Sequence, residues 1–132
     1  MAASPGRPPR ILLVDDHPAV SQRIGELLAG SLPDAEMVSA MSGEECLSLA
    51  WTQPFDLVLL DLRLPGRSGI EILKEIRTVK PLLPVIIVSS LPESPYATLA
   101  RRAGAIDFFT KSALVQDLGR AVKSALGGSA MT

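Results

Sequence analysis

Five polar residues sit directly behind short apolar runs. Asp15 and Asp16 follow Ile11–Val14, Asp61 follows Leu57–Leu60, Ser89 follows Val85–Val88, and Lys111 follows Ile106–Thr110. If these runs are neighbouring strands, three carboxylates, a hydroxyl and an amine gather at one sheet edge. Crowded carboxylates repel, and a hard divalent cation relieves them; oxygen ligands with a partly open, water-retaining shell suit Mg²⁺. A carboxylate beside such an ion can attack a phosphoryl group and form an acyl phosphate. The ion, Lys111 and the Ser89 hydroxyl then meet the charge on the transferring oxygens. The set reads as an aspartyl-phosphate site. Each residue alone has a plainer use: an Asp after a strand serves turns and caps, and a lone lysine is solvated. Their joint placement at four strand ends carries the reading.

The elements that must position them alternate. Ile11–Val14, Leu57–Leu60 and Val85–Val88 are continuous apolar runs, the pattern of strands buried on both faces. Glu36–Ala40 and Ile106–Thr110 are weaker and read as edge strands. Between them, Val20, Ile24, Leu27 and Leu28 share a helix face, as do Ile70, Leu73 and Ile76, and Leu114, Leu118, Ala121 and Ala125. Ser42-Gly43-Glu44-Glu45 and Ser68-Gly69-Ile70-Glu71 fit the capping box. Ser94 before Pro95 reads as a cap with proline at the first helical position, and Ser112 as a cap for the last helix. Five strands alternating with five helices predict an α/β fold, a doubly wound, five-stranded parallel sheet with right-handed crossovers. In the order 2-1-3-4-5, strands one and three flank the point where ligands bind such sheets.

The 132 residues suit one domain, with hydrophobic residues at 47% and charged residues at 20%. A net charge of -1 lacks the basic excess of a nucleic-acid binder. The single Cys46 excludes an intrachain disulfide, and the first ten residues carry no apolar signal core. A cytoplasmic location without membrane attachment is the expectation. Residues 1–9 read as a flexible tail, 10–126 as the domain, and 127–132 as a second tail or the start of a linker.

The stretches ILLVDDHP at 11–18, DLVLLDLRLPGRSGIEIL at 56–73, PVIIVSS at 84–90 and GAIDFFTK at 104–111 carry a resemblance. From Arg10 to Leu126 the chain resembles the receiver domain of two-component response regulators, a flavodoxin-like fold. The VDDHP start and Ser112 after Lys111 are more similar to receivers that precede a helix-turn-helix output domain of the nitrate-response type. The resemblance implies Asp61 as phosphoacceptor, with Asp15, Asp16, Asp61 and the Arg63 backbone carbonyl around Mg²⁺ or Mn²⁺. It implies Ser89 as the hydroxyl that follows the phosphoryl group, Lys111 as its counter-charge, and Phe108 as the aromatic that swings inward on activation. A sensor histidine kinase would donate the phosphoryl group. The surface of helix four, strand five and helix five would then change, and that surface or the face of helices one and five would bind a partner or a second copy in a phosphorylation-dependent homodimer. This chain itself would not bind nucleic acid; an output domain in a longer protein would.

Some positions depart from the family pattern. Ser112 stands where proline is common, and Phe108 where tyrosine is. Arg63 and Leu91 flank the site, and neither can orient a hydrolytic water, so a long-lived Asp61 phosphate is expected. His17, before Pro18, reads as a turn or cap residue, and Trp51, Met37 and Cys46 as packing. Three other functions compete. A receiver that works without phosphorylation would not need all five site residues. An aspartyl phosphohydrolase needs an acid at the position of Arg63. A dinucleotide binder needs glycines where Asp15-Asp16-His17-Pro18 stands.

Overall fold

The computed structural model describes residues 7–113 and 116–127. Its strands are β1 (Arg10–Val14), β2 (Glu36–Ala40), β3 (Leu57–Leu60), β4 (Val85–Ser89) and β5 (Asp107–Thr110). Its helices are α1 (Pro18–Ser31), α2 (Gly43–Thr52), α3 (Gly69–Val79), α4 (Glu93–Arg102) and α5 (Gln116–Gly127). The strands form one parallel sheet in the order β2-β1-β3-β4-β5. The two weaker runs are the edges, as expected.

Strand side chains alternate between faces, and the core divides accordingly. Leu12, Val14, Val58, Leu60, Val85 and Ile87 pack with Cys46 and Leu47 of α2, with Ile72, Leu73 and Ile76 of α3, and with Ala100 of α4. Ile11, Leu13, Leu57, Leu59, Ile86 and Val88 pack with Ile24 and Leu28 of α1 and Leu118, Val122 and Leu126 of α5. Burying each such Leu, Ile or Val contributes roughly 1.5–3 kcal/mol, so β1, β3 and β4 have nowhere else to go.

The helix faces need two corrections. α5 buries Leu118, Val122 and Leu126, while Ala121 and Ala125 are half-buried at the margin. The larger aliphatic side chains win the contact with the sheet; Leu114 lies outside the described residues. On α3, Ile72 is buried alongside Leu73 and Ile76 because Gly43 of α2 leaves room for it.

Caps are as specific. Ser42 Oγ accepts from the Glu45 amide at 3.1 Å, and the Glu45 carboxylate accepts from the Met41 amide at 2.8 Å. Ser68 Oγ accepts from the Glu71 amide at 3.3 Å, but the Glu71 carboxylate pairs with Arg67 instead of closing the box. Around Ser94, α4 opens earlier, at Glu93, behind Pro92; Ser94 is extended (φ -101°, ψ 124°) and regular turns resume at Pro95. Proline disfavours helical backbone in the residue before it, which explains the interruption. The start of α5 that Ser112 was expected to cap adjoins residues 114–115, which lie outside the described residues. Ser112 lies in a 3₁₀ turn, Lys111–Ala113, and its hydroxyl is 3.3 Å from that of Thr110.

Opposite the strand ends that bear Asp15 and Asp61, Arg77 ties two loops together. Its guanidinium donates to the carbonyls of Lys80, Pro81, Leu83 and Gly104 at 2.8–3.2 Å. Gly104 has φ +115°, and a Cβ there would meet the Arg77 side chain. Among the described residues no helix is long and apolar enough to cross a membrane.

Candidate functional site

Because β1 and β3 are neighbours, Asp15 and Asp61 leave the sheet side by side. The Asp61 amide donates to the Val14 carbonyl at 3.0 Å, and the Asp15 amide donates to the Ala40 carbonyl at 3.0 Å. Both residues are buried, Asp15 3% and Asp61 1% exposed. Lys111, one residue past β5, reaches across β4 to them. Its Nζ lies 2.8 Å from Asp15 Oδ2 and 3.0 Å from Asp61 Oδ2.

The second oxygens have their own donors. The Arg63 amide donates to Asp61 Oδ1 at 3.1 Å. The His17 amide donates to Asp15 Oδ1 at 2.8 Å. Burial pushes the Asp61 carboxyl up from its usual range, and the bonds from the Arg63 amide and Lys111 only partly offset this. Burial would lower the Lys111 ammonium, but its bonds to Asp15 and Asp61 prevail and raise it.

Asp16 is half-exposed at the start of the loop, yet its Oδ1 is buried and accepts no hydrogen bond. His17 Nδ1 is 3.0 Å from that oxygen but misaligned for one, so the oxygen remains open to another partner. Asp15, Asp16, His17 and Asp61 each offer a ligand atom, and these lie within 4.8 Å of one another. Lys111 offsets one of the three carboxylate charges. The remainder equals the charge of one divalent cation, and the donor set fits a hard one.

These groups border an open cleft of about 950 Å³, lined on its other side by Leu62 to Ser68. Gly69 lets that loop close on β3: a Cβ there would collide with the Asp61 carbonyl and lie 2.6 Å from Leu62 Cα. Arg67 anchors the loop outward by pairing with Glu75, with Glu44 at 3.2 Å and with Glu71 at 3.4 Å.

Ser89 is fully buried at the end of β4, and its hydroxyl accepts from the Leu91 amide at 3.2 Å. Ser90, unmarked by sequence reasoning, lines the cleft instead. The doublet Ser89-Ser90 was the only signal for it, since alternation turns one serine in and the next out. Phe108 is 3% exposed and packs in the core with Ile87 and Ala100. His17 is the N-cap residue of α1 with Pro18 behind it, but its ring faces the acids and makes no capping bond.

A family model for the response regulator receiver domain matches residues 11–123. The chain belongs to this family. Receiver domains are the switches of two-component phosphorelays. The response regulator GacA of Pseudomonas aeruginosa is 32% identical over 119 residues, which are 90% of this chain and 56% of that protein. The chain therefore spans a little over half the length of such curated relatives. Among solved receivers, TrrA of Thermotoga maritima in complex with Mg²⁺ and beryllofluoride is 33% identical. It superimposes with a TM-score of 0.80 over 89% of this chain and 99% of that one. The Mn²⁺-bound form of Rcp1 is 28% identical, with a TM-score of 0.75 over 92% and 94% of the respective chains. The receiver fold and the order 2-1-3-4-5 expected from the sequence are those observed.

Proposed function

We propose that this receiver accepts a phosphoryl group on Asp61 from a sensor histidine kinase, in a step that requires Mg²⁺ or Mn²⁺ at Asp15, Asp16, Asp61 and the Arg63 carbonyl. The single observation behind this is the contact of Lys111 Nζ with Asp61 Oδ2 at 3.0 Å, on the floor of an open cleft. An Asp61 oxygen attacks phosphorus as the bond to the donor imidazole breaks, and the ring, already protonated on its other nitrogen, leaves as neutral imidazole. When bound, the cation neutralises charge on the phosphoryl oxygens. Lys111 holds Asp61 aligned and then serves the phosphoryl oxygens as a counter-ion.

The Ser89 hydroxyl is the moving part. It leaves the Leu91 amide to meet the phosphoryl group, which frees the start of the β4–α4 loop. Phe108, 3% exposed beside Ile87, then moves further in to fill the space that Ser89 vacates. The altered surface spans α4, β5 and α5, where a second copy or an output domain binds. That pairing, passed to an output domain, is the activity proposed for the longer protein. Arg63 and Leu91 beside the site keep the phosphate long-lived. A pre-existing two-state element is thereby biased by new charge-assisted contacts.

Acetyl phosphate with Mg²⁺ tests this reading. Intact-mass spectrometry should show one added phosphoryl group in the wild type and none in Asp61→Asn. An equally modified Asp61→Asn chain would reject Asp61 as the acceptor.

A further inference from the structure

His17 sits where a helix cap should be, yet its side chain caps nothing. Its ring is turned into the acid cluster. Nδ1 stands 3.1 Å from Asp15 Oδ1, to which it donates a hydrogen bond when it carries the ring proton, and 3.0 Å from Asp16 Oδ1. The ring's root is held by the same carboxylate, because the His17 amide donates to Asp15 Oδ1. The nearby Asp16 Oδ1 is buried and remains without a hydrogen bond despite the close approach of the ring nitrogen. A ring nitrogen and carboxylate oxygens of Asp15, Asp16 and Asp61 thus lie within 4.8 Å of one another.

We infer that His17 is a nitrogen ligand of the divalent-cation site and shifts its preference from Mg²⁺ toward borderline first-row ions such as Mn²⁺. The inference rests on the reading of Asp15, Asp16 and Asp61 as that cation's ligands. Carboxylate, carbonyl and water suit Mg²⁺, which demands a near-ideal oxygen octahedron. Imidazole gains little from Mg²⁺ but binds transition ions well, so an added ring nitrogen raises affinity for them selectively. Coordination through Nδ1 replaces its hydrogen bond to Asp15 Oδ1 and places the ring proton on Nε2. The His17 side chain is 63% exposed, which leaves water free to accept that proton. The same exposure lets the ring be replaced without opening the core.

Electron paramagnetic resonance of Mn²⁺ tests the role on the intact chain. Loss of the free-ion signal measures affinity, competition with Mg²⁺ measures preference, and electron spin echo modulation reports a directly bonded ¹⁴N. The wild type should show ¹⁴N modulation. His17→Ala and His17→Asn should lose it, with the Mn²⁺-to-Mg²⁺ affinity ratio falling about tenfold, Mg²⁺ affinity nearly unchanged and thermal melting retained. The asparagine variant supplies an oxygen in place of nitrogen, so a ratio restored by it would reject the nitrogen's role. Mn²⁺ bound without ¹⁴N modulation, or an unchanged ratio in His17→Ala, overturns the inference and leaves the carboxylate site standing. No binding of either ion by the wild type overturns both.

Discussion

Lys111 Nζ and Asp61 Oδ2 meet at 3.0 Å, although fifty positions separate the two residues in sequence. The same ammonium is the nearest cation to Asp15, at 2.8 Å. Replacing Lys111 with methionine leaves two buried carboxylates unpaired, and removing one partner from such a pair costs about 3 kcal/mol. The urea midpoint of metal-free Lys111→Met should fall accordingly. The pH dependence has a definite sign. The Lys111 ammonium is raised above its ordinary value of 10.5, so its contribution is complete below that value and is lost as pH climbs through the raised one. Wild-type stability should therefore drop in that alkaline window, and the variant should lack this component.

Asp61→Asn should stabilise the metal-free protein. Burial raises the Asp61 carboxyl, so its ionised form is disfavoured in the fold, and stability is lost as pH rises through the raised value. The amide carries no such penalty, can still accept from Lys111, and leaves Asp15 paired. A gain of about 1 kcal/mol at neutral pH is expected, in keeping with charges kept for function at a cost in stability. Equal or lower urea midpoints for the variant would contradict this.

Gly69→Ala should damage both fold and site. The added methyl meets main-chain atoms of Asp61 and Leu62, which cannot move without shifting the acceptor loop. Overpacking of this kind costs about 1–3 kcal/mol. Slower labelling by acetyl phosphate, at a temperature where the variant is still folded, would show the displacement of Asp61.

Cys46 should be inert in the folded chain. It is fully buried, and desolvation pushes its thiol up to about 12. Since the thiolate is the reactive form, an aromatic disulfide reagent should label it only as fast as the protein opens. Labelling at the rate of a free thiol in native buffer would refute this.

The strands and their acids were legible because both depend on local pattern. Ile11–Val14 and Leu57–Leu60 are apolar at every position, which only a doubly covered strand accommodates, and an acid closing such a strand marks its solvent-facing end. The misreadings arose where packing at a distance decides. Val122 and Leu126 outweigh Ala121 and Ala125 because the sheet beneath α5 takes the larger side chains. Glu71 turns its carboxylate to Arg67, 3.4 Å away, instead of closing the capping box. The ring of His17 turns toward the acids although its position in sequence is that of a cap. Arg77, which binds four carbonyls and no acid, offers no sequence signal at all.

The neighbours β1 and β3 are not consecutive in the chain; β2 is threaded to the outside. Asp15 and Asp61 therefore stay apart until a crossover has been completed, and Lys111 joins them only after β5 docks against β4. Long-range pairings of this kind carry a loop-closure cost that slows folding. A nascent or partly unfolded chain holds every residue of the site but not the site itself. On the proposed function, such a chain would not accept a phosphoryl group until the strand order is complete.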